Sequence, residues 1–210
     1  MAIVFQQTNR RNVIFTVYVL LIWFALGLLG SILGTFVQPR GTPPVLFGLA
    51  VSVPVILFGA GYLLSDTFRH FVRSLVGDPW SITALQAYRV LGAIFIVLTS
   101  RNALPAIFAL PAGLGDLFIG VTAPLVALAW SSGTRSGKAV FVLWNVLGMI
   151  DLVMAVSLGT LATIQPGSIS TAPLTIFPLS LIPTFLVPLS FILHLAGLGQ
   201  FRYLSRKQAA

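Results

Sequence analysis

Acidic residues are scarce in this 210-residue chain: there are four, all aspartates. Two of them, Asp116 and Asp151, lie inside apolar stretches long enough to cross a bilayer. A carboxylate at that depth costs roughly 2.5–3.5 kcal/mol on insertion scales, so such groups are the first place to look for function. They can hold a proton, meet a cation, or pair with a buried base. Both sit in one local frame. Gly113-Leu114-Gly115-Asp116-Leu117-Phe118-Ile119-Gly120-Val121 parallels Gly148-Met149-Ile150-Asp151-Leu152-Val153-Met154-Ala155-Val156. Glycine precedes each aspartate by three, leucine follows it, and a small residue and a valine stand four and five further on. Small residues at that spacing let helix backbones approach closely.

Three more polar groups belong with them. Each residue of a helix rises about 1.5 Å, so position along a span gives depth. Asp116 lies about twelve residues inside its span and Asp151 about twelve inside the next, each roughly 18 Å deep from opposite ends. Both therefore fall near the midplane. Arg89 falls roughly 10 Å from the cytoplasmic edge, with His194 and Asn145 at similar depth. An unpaired arginine there is costly, and its long side chain reaches one or two turns. Arg89 is expected to pair with Asp151 or Asp116, leaving the other carboxyl protonated or hydrogen-bonded, since one guanidinium charge neutralises one carboxylate. His194 brings a group that ordinarily titrates near neutral pH. Trp144 lies on nearly the face of Asp151, whereas Asn145 lies well round the helix from it. The candidate substrate or ion site is Arg89, Asp116, Asn145, Asp151 and His194. The competing reading is a satisfied buried network that only fixes helix register.

The elements that must position these groups follow from composition. The chain is 57% hydrophobic and 8% charged, against about 25% charged residues in soluble domains. Its mean hydropathy is +1.00. The fold class is an all-α integral membrane protein, one polytopic domain over residues 1–210. Six spans are expected at about 13–37, 45–64, 82–99, 104–130, 139–164 and 174–198, each near the 20 or so residues needed to cross. Arg10-Arg11 ahead of the first span resemble a signal-peptide start, but its apolar run exceeds the usual core of about 7–15 residues. It is expected to be retained as a helix, the chain beginning at Met1. Gly30 and Gly34 give that span a GxxxG pattern, suited to internal packing or to a homodimer.

The net charge of +8 comes from ten arginines and two lysines. With the N-terminus inside, nine basic residues fall on the cytoplasmic side (Arg10, Arg11, Arg69, Arg73, Arg135, Lys138, Arg202, Arg206 and Lys207). Arg40 and Arg101 fall outside. This is a positive-inside pattern and needs no nucleic acid to explain it. Tyr62, Trp80, Trp130, Trp144 and Tyr203 lie toward the same interface. Both termini are expected in the cytoplasm, in a bacterial inner membrane. Between the second and third spans, residues 65–76 carry apolar positions 68, 71, 72, 75 and 76, a 3.6-residue stripe. It reads either as a short interfacial amphipathic helix or as an extension of span two, and Gly77-Asp78-Pro79 ends it.

The sixth span carries Pro173, Pro178, Pro183 and Pro188, one every five residues. Each lacks an N–H and crowds the carbonyl four residues back. The carbonyls of Leu174, Leu179 and Thr184 are expected to lose their helical partners, so this helix is kinked or broken. Pro178, Pro183 and Pro188 then line a wet cavity, or simply fix a bend.

Function classes narrow accordingly. Zero cysteines exclude disulfides, thiolate metal sites and cysteine nucleophiles. No HExxH, GxSxG or phosphate-binding glycine loop is present, so an enzyme is the weaker reading and no catalytic or metal set is assigned. Midplane acids, a buried arginine and a broken helix favour permeation or transport of a proton, ion or small polar solute. The alternatives are a quinone-, lipid- or haem-binding membrane protein and a non-catalytic subunit of a membrane complex. Haem would need His70 with His194, whose depths differ, and a lone histidine is more often a hydrogen-bonded member of a network.

Overall fold

A computed structural model describes residues 10–39, 41–165 and 169–209. Arg40, assigned above to the outer face, lies outside the described residues, as do Pro166, Gly167 and Ser168. Every regular element among the described residues is helical. Six stretches are long and apolar enough to cross a membrane: Arg10–Ile32, Val45–Leu64, Pro79–Ser100, Ala106–Ser131, Arg135–Ile164 and Ile182–Lys207.

Helix α1 (Arg10–Ile32) stops short of the expected residue 37. Gly34 takes φ +70°. The Thr35 N–H then donates to the Gly30 carbonyl (2.9 Å) and the Gly34 N–H to that of Ser31 (3.3 Å). This is a Schellman close, which needs a left-handed residue just past the helix. Gly34 is therefore a terminator, and the expected Gly30–Gly34 packing stripe does not exist. The face that packs is Gly27 and Ser31, where Ser180 donates to the Ser31 hydroxyl at 2.7 Å.

Helix α2 (Val45–Leu64) ends at Ser65, whose extended backbone breaks the run and whose hydroxyl accepts from the Phe68 N–H to start α3 (Asp66–Val76). So α3 is a separate helix and not an extension of span two. Its stripe packs Phe68, Phe71, Val72 and Val76 against Phe58, Tyr62, Ile82 and Ala196. Arg69 pairs with Asp66 and also donates to the carbonyls of Tyr62 and Leu63, closing the end of α2. The same guanidinium holds the Asp66 carboxyl below the usual carboxylate range. Gly77 at φ +53° ends α3, and Asp78 with Pro79 starts α4 (Pro79–Leu85).

The third span is not one regular helix. α4 runs into a 3₁₀ stretch, Gln86–Gly92, and then into α5 (Ala93–Ser100). α6 (Ala106–Ser131) follows, then α7 (Arg135–Ile164), started by the Thr134 hydroxyl accepting from the Gly137 N–H at 3.0 Å. α6 packs most extensively against α7 and against the 3₁₀ stretch, so it lies between the third span and α7.

The proline-rich segment is a 3₁₀ turn at Ala172–Thr175 and a π-turn at Ile182–Leu186, after which α8 runs from Val187 to Ala209. The sixth apolar stretch is thus Ile182–Lys207, shifted from the expected 174–198. Without N–H groups, the prolines at 173 and 178 interrupt the helical ladder before residue 182. The π-turn carries the chain past Pro183: the Val187 N–H reaches the carbonyl of Ile182, five residues back. The Ile182 N–H meets the Leu179 carbonyl at 3.0 Å. That carbonyl lacks its helical partner, the N–H of residue 183, and a shorter-range backbone donor takes its place.

Side-chain contacts sort the helix ends. Asn12 of α1 donates to Ser74 of α3, Gln200 of α8 to the Gly77 carbonyl, and Trp130 of α6 to Asp78. The Arg73 guanidinium stacks 4.4 Å from the Tyr203 ring. These put the start of α1, all of α3 and the C-terminal half of α8 at one end of the bundle. The start of α2, the end of α7 and the proline-rich segment meet at the other.

Candidate functional site

Arg89 lies in the middle of the Gln86–Gly92 stretch, and a 3₁₀ run of seven residues exceeds the usual three or four. Close backbone approach accounts for its position. A Cβ on Gly92 would overlap the Asp116 side chain. One on Gly113 would stand 2.8 Å from the Ile96 side chain, and one on Gly120 would stand 3.0 Å from the Arg89 carbonyl carbon. α6 can therefore lie directly on the backbone of residues 89–92 and turn Asp116 toward Arg89. Gly115 does the same for α7, since a Cβ there would coincide with a carboxylate oxygen of Asp151. Gly148 leaves room for the His194 ring. Gly92, Gly115 and Gly148 thus admit the polar groups between the helices, and of these only Gly148 belongs to the shared frame.

The five candidate residues form one connected network. Arg89 Nε donates to Asp116 Oδ1 at 2.7 Å, Nη2 donates to Asp151 Oδ2, and Nη1 lies 3.3 Å from His194 Nε2. His194 Nδ1 lies 2.9 Å from Asn145 Oδ1, and Asn145 Nδ2 donates to the Phe141 carbonyl at 2.8 Å. The expectation that one aspartate takes Arg89 and leaves the other without it is corrected. A guanidinium carries donors on three nitrogens that point apart, so it forks between two carboxylates and a ring nitrogen.

Donor and acceptor bookkeeping assigns the histidine tautomer. A guanidinium can only donate, so His194 Nε2 must accept and Nδ1 carries the proton. The Asn145 orientation agrees: its amide faces the Phe141 carbonyl, which leaves Oδ1 to accept from Nδ1. In this arrangement His194 is neutral, with Nε2 accepting from Arg89 and Nδ1 donating to Asn145. With both ring nitrogens engaged it has no lone pair for a haem iron, and His70 is exposed on α3. Among the described residues no group of three or more His, Cys, Asp or Glu could hold a metal ion.

The two carboxylates differ in access. The Arg89 side chain is 2% exposed, that of Asp151 9% and that of Asp116 19%. Asp151 Oδ1 is buried with no hydrogen-bond partner among the described residues. Asp116 borders a cavity of about 810 Å³, a figure that includes its open mouth. Phe47, Phe95, Phe108, Leu152 and Val187 wall it, with Thr160, Thr163, Thr171 and Thr175 also in its lining. It is built from the start of α2, α5, α6, the C-terminal half of α7 and the proline-rich segment. Of the three prolines expected to line a cavity only Pro183 does so; Pro178 is exposed and Pro188 is buried in packing.

Sequence reasoning missed the supporting contacts. Gln86 donates to the Ser190 carbonyl at 3.3 Å, and the Tyr88 hydroxyl lies 2.5 Å from that of Ser190. Trp144 donates to Thr122 at 2.9 Å and sets its ring edge-on to His194. One signal was present: Gln86 precedes Arg89 by three residues and so shares its helical face.

A family model described as Domain of unknown function (DUF8737) matches residues 44–202, and the chain belongs to that family. No curated protein and no solved structure matches the chain. The matched stretch contains Arg89, Asp116, Asn145, Asp151 and His194 and leaves out α1.

Proposed function

We propose that this member of the family is an integral protein of a bacterial inner membrane that crosses the bilayer six times as one domain. In this reading it moves a proton, ion or small polar solute through the site centred on Arg89, Asp116 and Asp151. One observation carries it. A buried guanidinium bridges two mid-span carboxylates, and one of those, Asp116, borders a cavity whose lining runs from mid-span to the end of the bundle that holds the proline-rich segment. A network that only fixed register would gain from being sealed, because water at a buried ion pair screens it. The basic end of the bundle, with Arg69, Arg73, Arg202 and Arg206, faces the cytoplasm by the positive-inside rule. Both termini are then cytoplasmic, α3 lies at the inner interface, and the cavity lies in the outer half of the bundle. Irregular backbone in a bilayer is tolerated where it borders a cavity or is buried in protein, which fits the place of the 172–187 segment.

The test is proton flux. Purified protein goes into proteoliposomes loaded with a pH-sensitive dye, and a potassium–valinomycin potential drives the flux. Wild type is expected to acidify the lumen, and Asp116→Asn and Asp151→Asn to abolish this. Equal flux in wild type and both variants refutes the site.

The apolar walls of the cavity favour a second reading, a quinone or lipid held beside Asp116. Organic extraction of the purified protein followed by mass spectrometry decides it. A stoichiometric quinone or lipid that Asp116→Asn loses establishes a resident ligand in place of a carried solute.

A further inference from the structure

The chemistry of the cavity restricts what it can hold, given that it is the binding site proposed above. Arg89 brings one positive charge to two carboxylates, and His194 as its neutral tautomer adds none. The network therefore carries one uncompensated negative charge when both aspartates are ionised. The geometry decides where that charge is felt. Arg89 is sealed behind Asp116 and does not border the cavity. Among the described residues, Asp116 is the one charged side chain in the lining. Among the described residues an entering solute thus meets a carboxylate and no cation, which disfavours anions.

The walls select further. Phe47, Phe95 and Phe108 present aromatic rings, whose faces attract a weakly hydrated cation. A small inorganic ion would shed its hydration shell for one carboxylate and a few hydroxyls, which is a poor exchange. A cation with an apolar body buries that body against the phenylalanines and brings its charge to Asp116.

We infer that the cavity binds a monovalent organic cation with an apolar body, its charge set against Asp116. A proton answers to the same negative charge, so cation and proton compete for the site.

Three probes of one shape test this with the purified protein in a neutral detergent, by isothermal titration calorimetry. They are phenyltrimethylammonium, its neutral isostere tert-butylbenzene, and the anion benzenesulfonate. Phenyltrimethylammonium is expected to bind best, at least about tenfold more tightly than either of the others. Its affinity is expected to fall by about tenfold or more between pH 7 and pH 5 and in Asp116→Asn. Equal binding of the neutral isostere, binding of the sulfonate, or an affinity unchanged by pH overturns the assignment. So does binding of no probe at all. The isostere and pH comparisons use the wild-type chain, so they decide the matter even where Asp116→Asn does not fold. Preference for the neutral isostere overturns the cation but leaves the flux assay to decide transport. Cation binding without Asp116-dependent flux overturns transport alone.

Discussion

Replacing Arg89 with methionine tests the network most directly, because it keeps bulk and removes one charge and every donor. Wild-type Arg89 neutralises one of the two carboxylates, so the variant leaves one further carboxylate unpaired in the bundle. That group can escape by binding a proton. For a carboxyl with an ordinary value of about 3.9, taking a proton at pH 7 costs about 4 kcal/mol, which caps the charge term. At pH 5 the same step costs about 1.5 kcal/mol. The three lost contacts, to Asp116, Asp151 and His194, add a pH-independent loss of about 2 kcal/mol if each is worth the ~0.6 kcal/mol average for interhelical hydrogen bonds. Arg89→Met is therefore expected to lose up to about 6 kcal/mol at pH 7 and up to about 3.5 kcal/mol at pH 5. The sign follows from linkage: the folded variant holds a proton that the unfolded chain releases, so its stability rises as pH falls. The assay is unfolding by sodium dodecyl sulfate from mixed micelles, followed by circular dichroism at the two pH values. A variant within about 1 kcal/mol of wild type at pH 7 refutes the reasoning. So does a loss that does not shrink at pH 5.

Other changes read single contacts. Gly115→Ala places a methyl where Asp151 Oδ1 stands and is expected to lose about 1–3 kcal/mol of thermal stability. Asp151→Ala in the same chain should relieve part of that loss, so strictly additive effects would count against the contact. Thr134→Ala removes the hydroxyl that accepts from Gly137 and should lower stability by about 1 kcal/mol in detergent unfolding. Nitrogen NMR of ¹⁵N-labelled histidine should show His194 at neutral pH with its proton on Nδ1. An Nε2–H tautomer would break the proposed acceptance from Arg89.

The parts of the site legible in sequence were those with an energetic penalty. A mid-span Arg89, Asp116 or Asp151 is costly in lipid wherever it points, so composition and depth alone led to it. That all three meet was readable only as an expectation, because depth says nothing of azimuth until helix neighbours are known. The division of Arg89 between both aspartates was beyond sequence reasoning, which counted charges and not donor directions. The glycine frame was visible, but its two halves act differently: Gly113 and Gly120 set the contact of α6 with the third span, while Gly148 leaves room for the His194 ring, and Gly92 and Gly115, which make room for Asp116 and Asp151, stand outside the repeat. The end of α1 was misjudged because Gly34 reads equally as a packing residue and as a left-handed terminator. The proline segment was misjudged in register, since regular helix resumes only where an N–H can reach past Pro183, through the π-turn. Exposed apolar residues on α1 and α2, such as Phe15, Leu26, Ile56 and Leu64, follow from composition once lipid is the solvent.

The asymmetry between the carboxylates bears most on mechanism. Two acids held by one base at equal burial would be a closed ion triad, and such triads can be exchanged for apolar residues without loss. Here burial is unequal. Asp151 points one oxygen into a sealed, unpartnered position, and Asp116 borders an open cavity, with Arg89 bonded to both. In the proposed reading, a cation or proton arriving at Asp116 would weaken the hold of that carboxylate on Arg89 Nε, and the guanidinium would lean on Asp151. Arg89 sits in a 3₁₀ stretch between two α-helical pieces, and such a stretch can tighten or relax its winding more readily than a regular helix. In the proposed reading, occupancy of the cavity would couple to the backbone of the third span through one side chain. If that coupling operates, a cysteine pair spanning α5 and α6 should change its spin-label distance when phenyltrimethylammonium binds to wild type. The same pair should not respond in Arg89→Met.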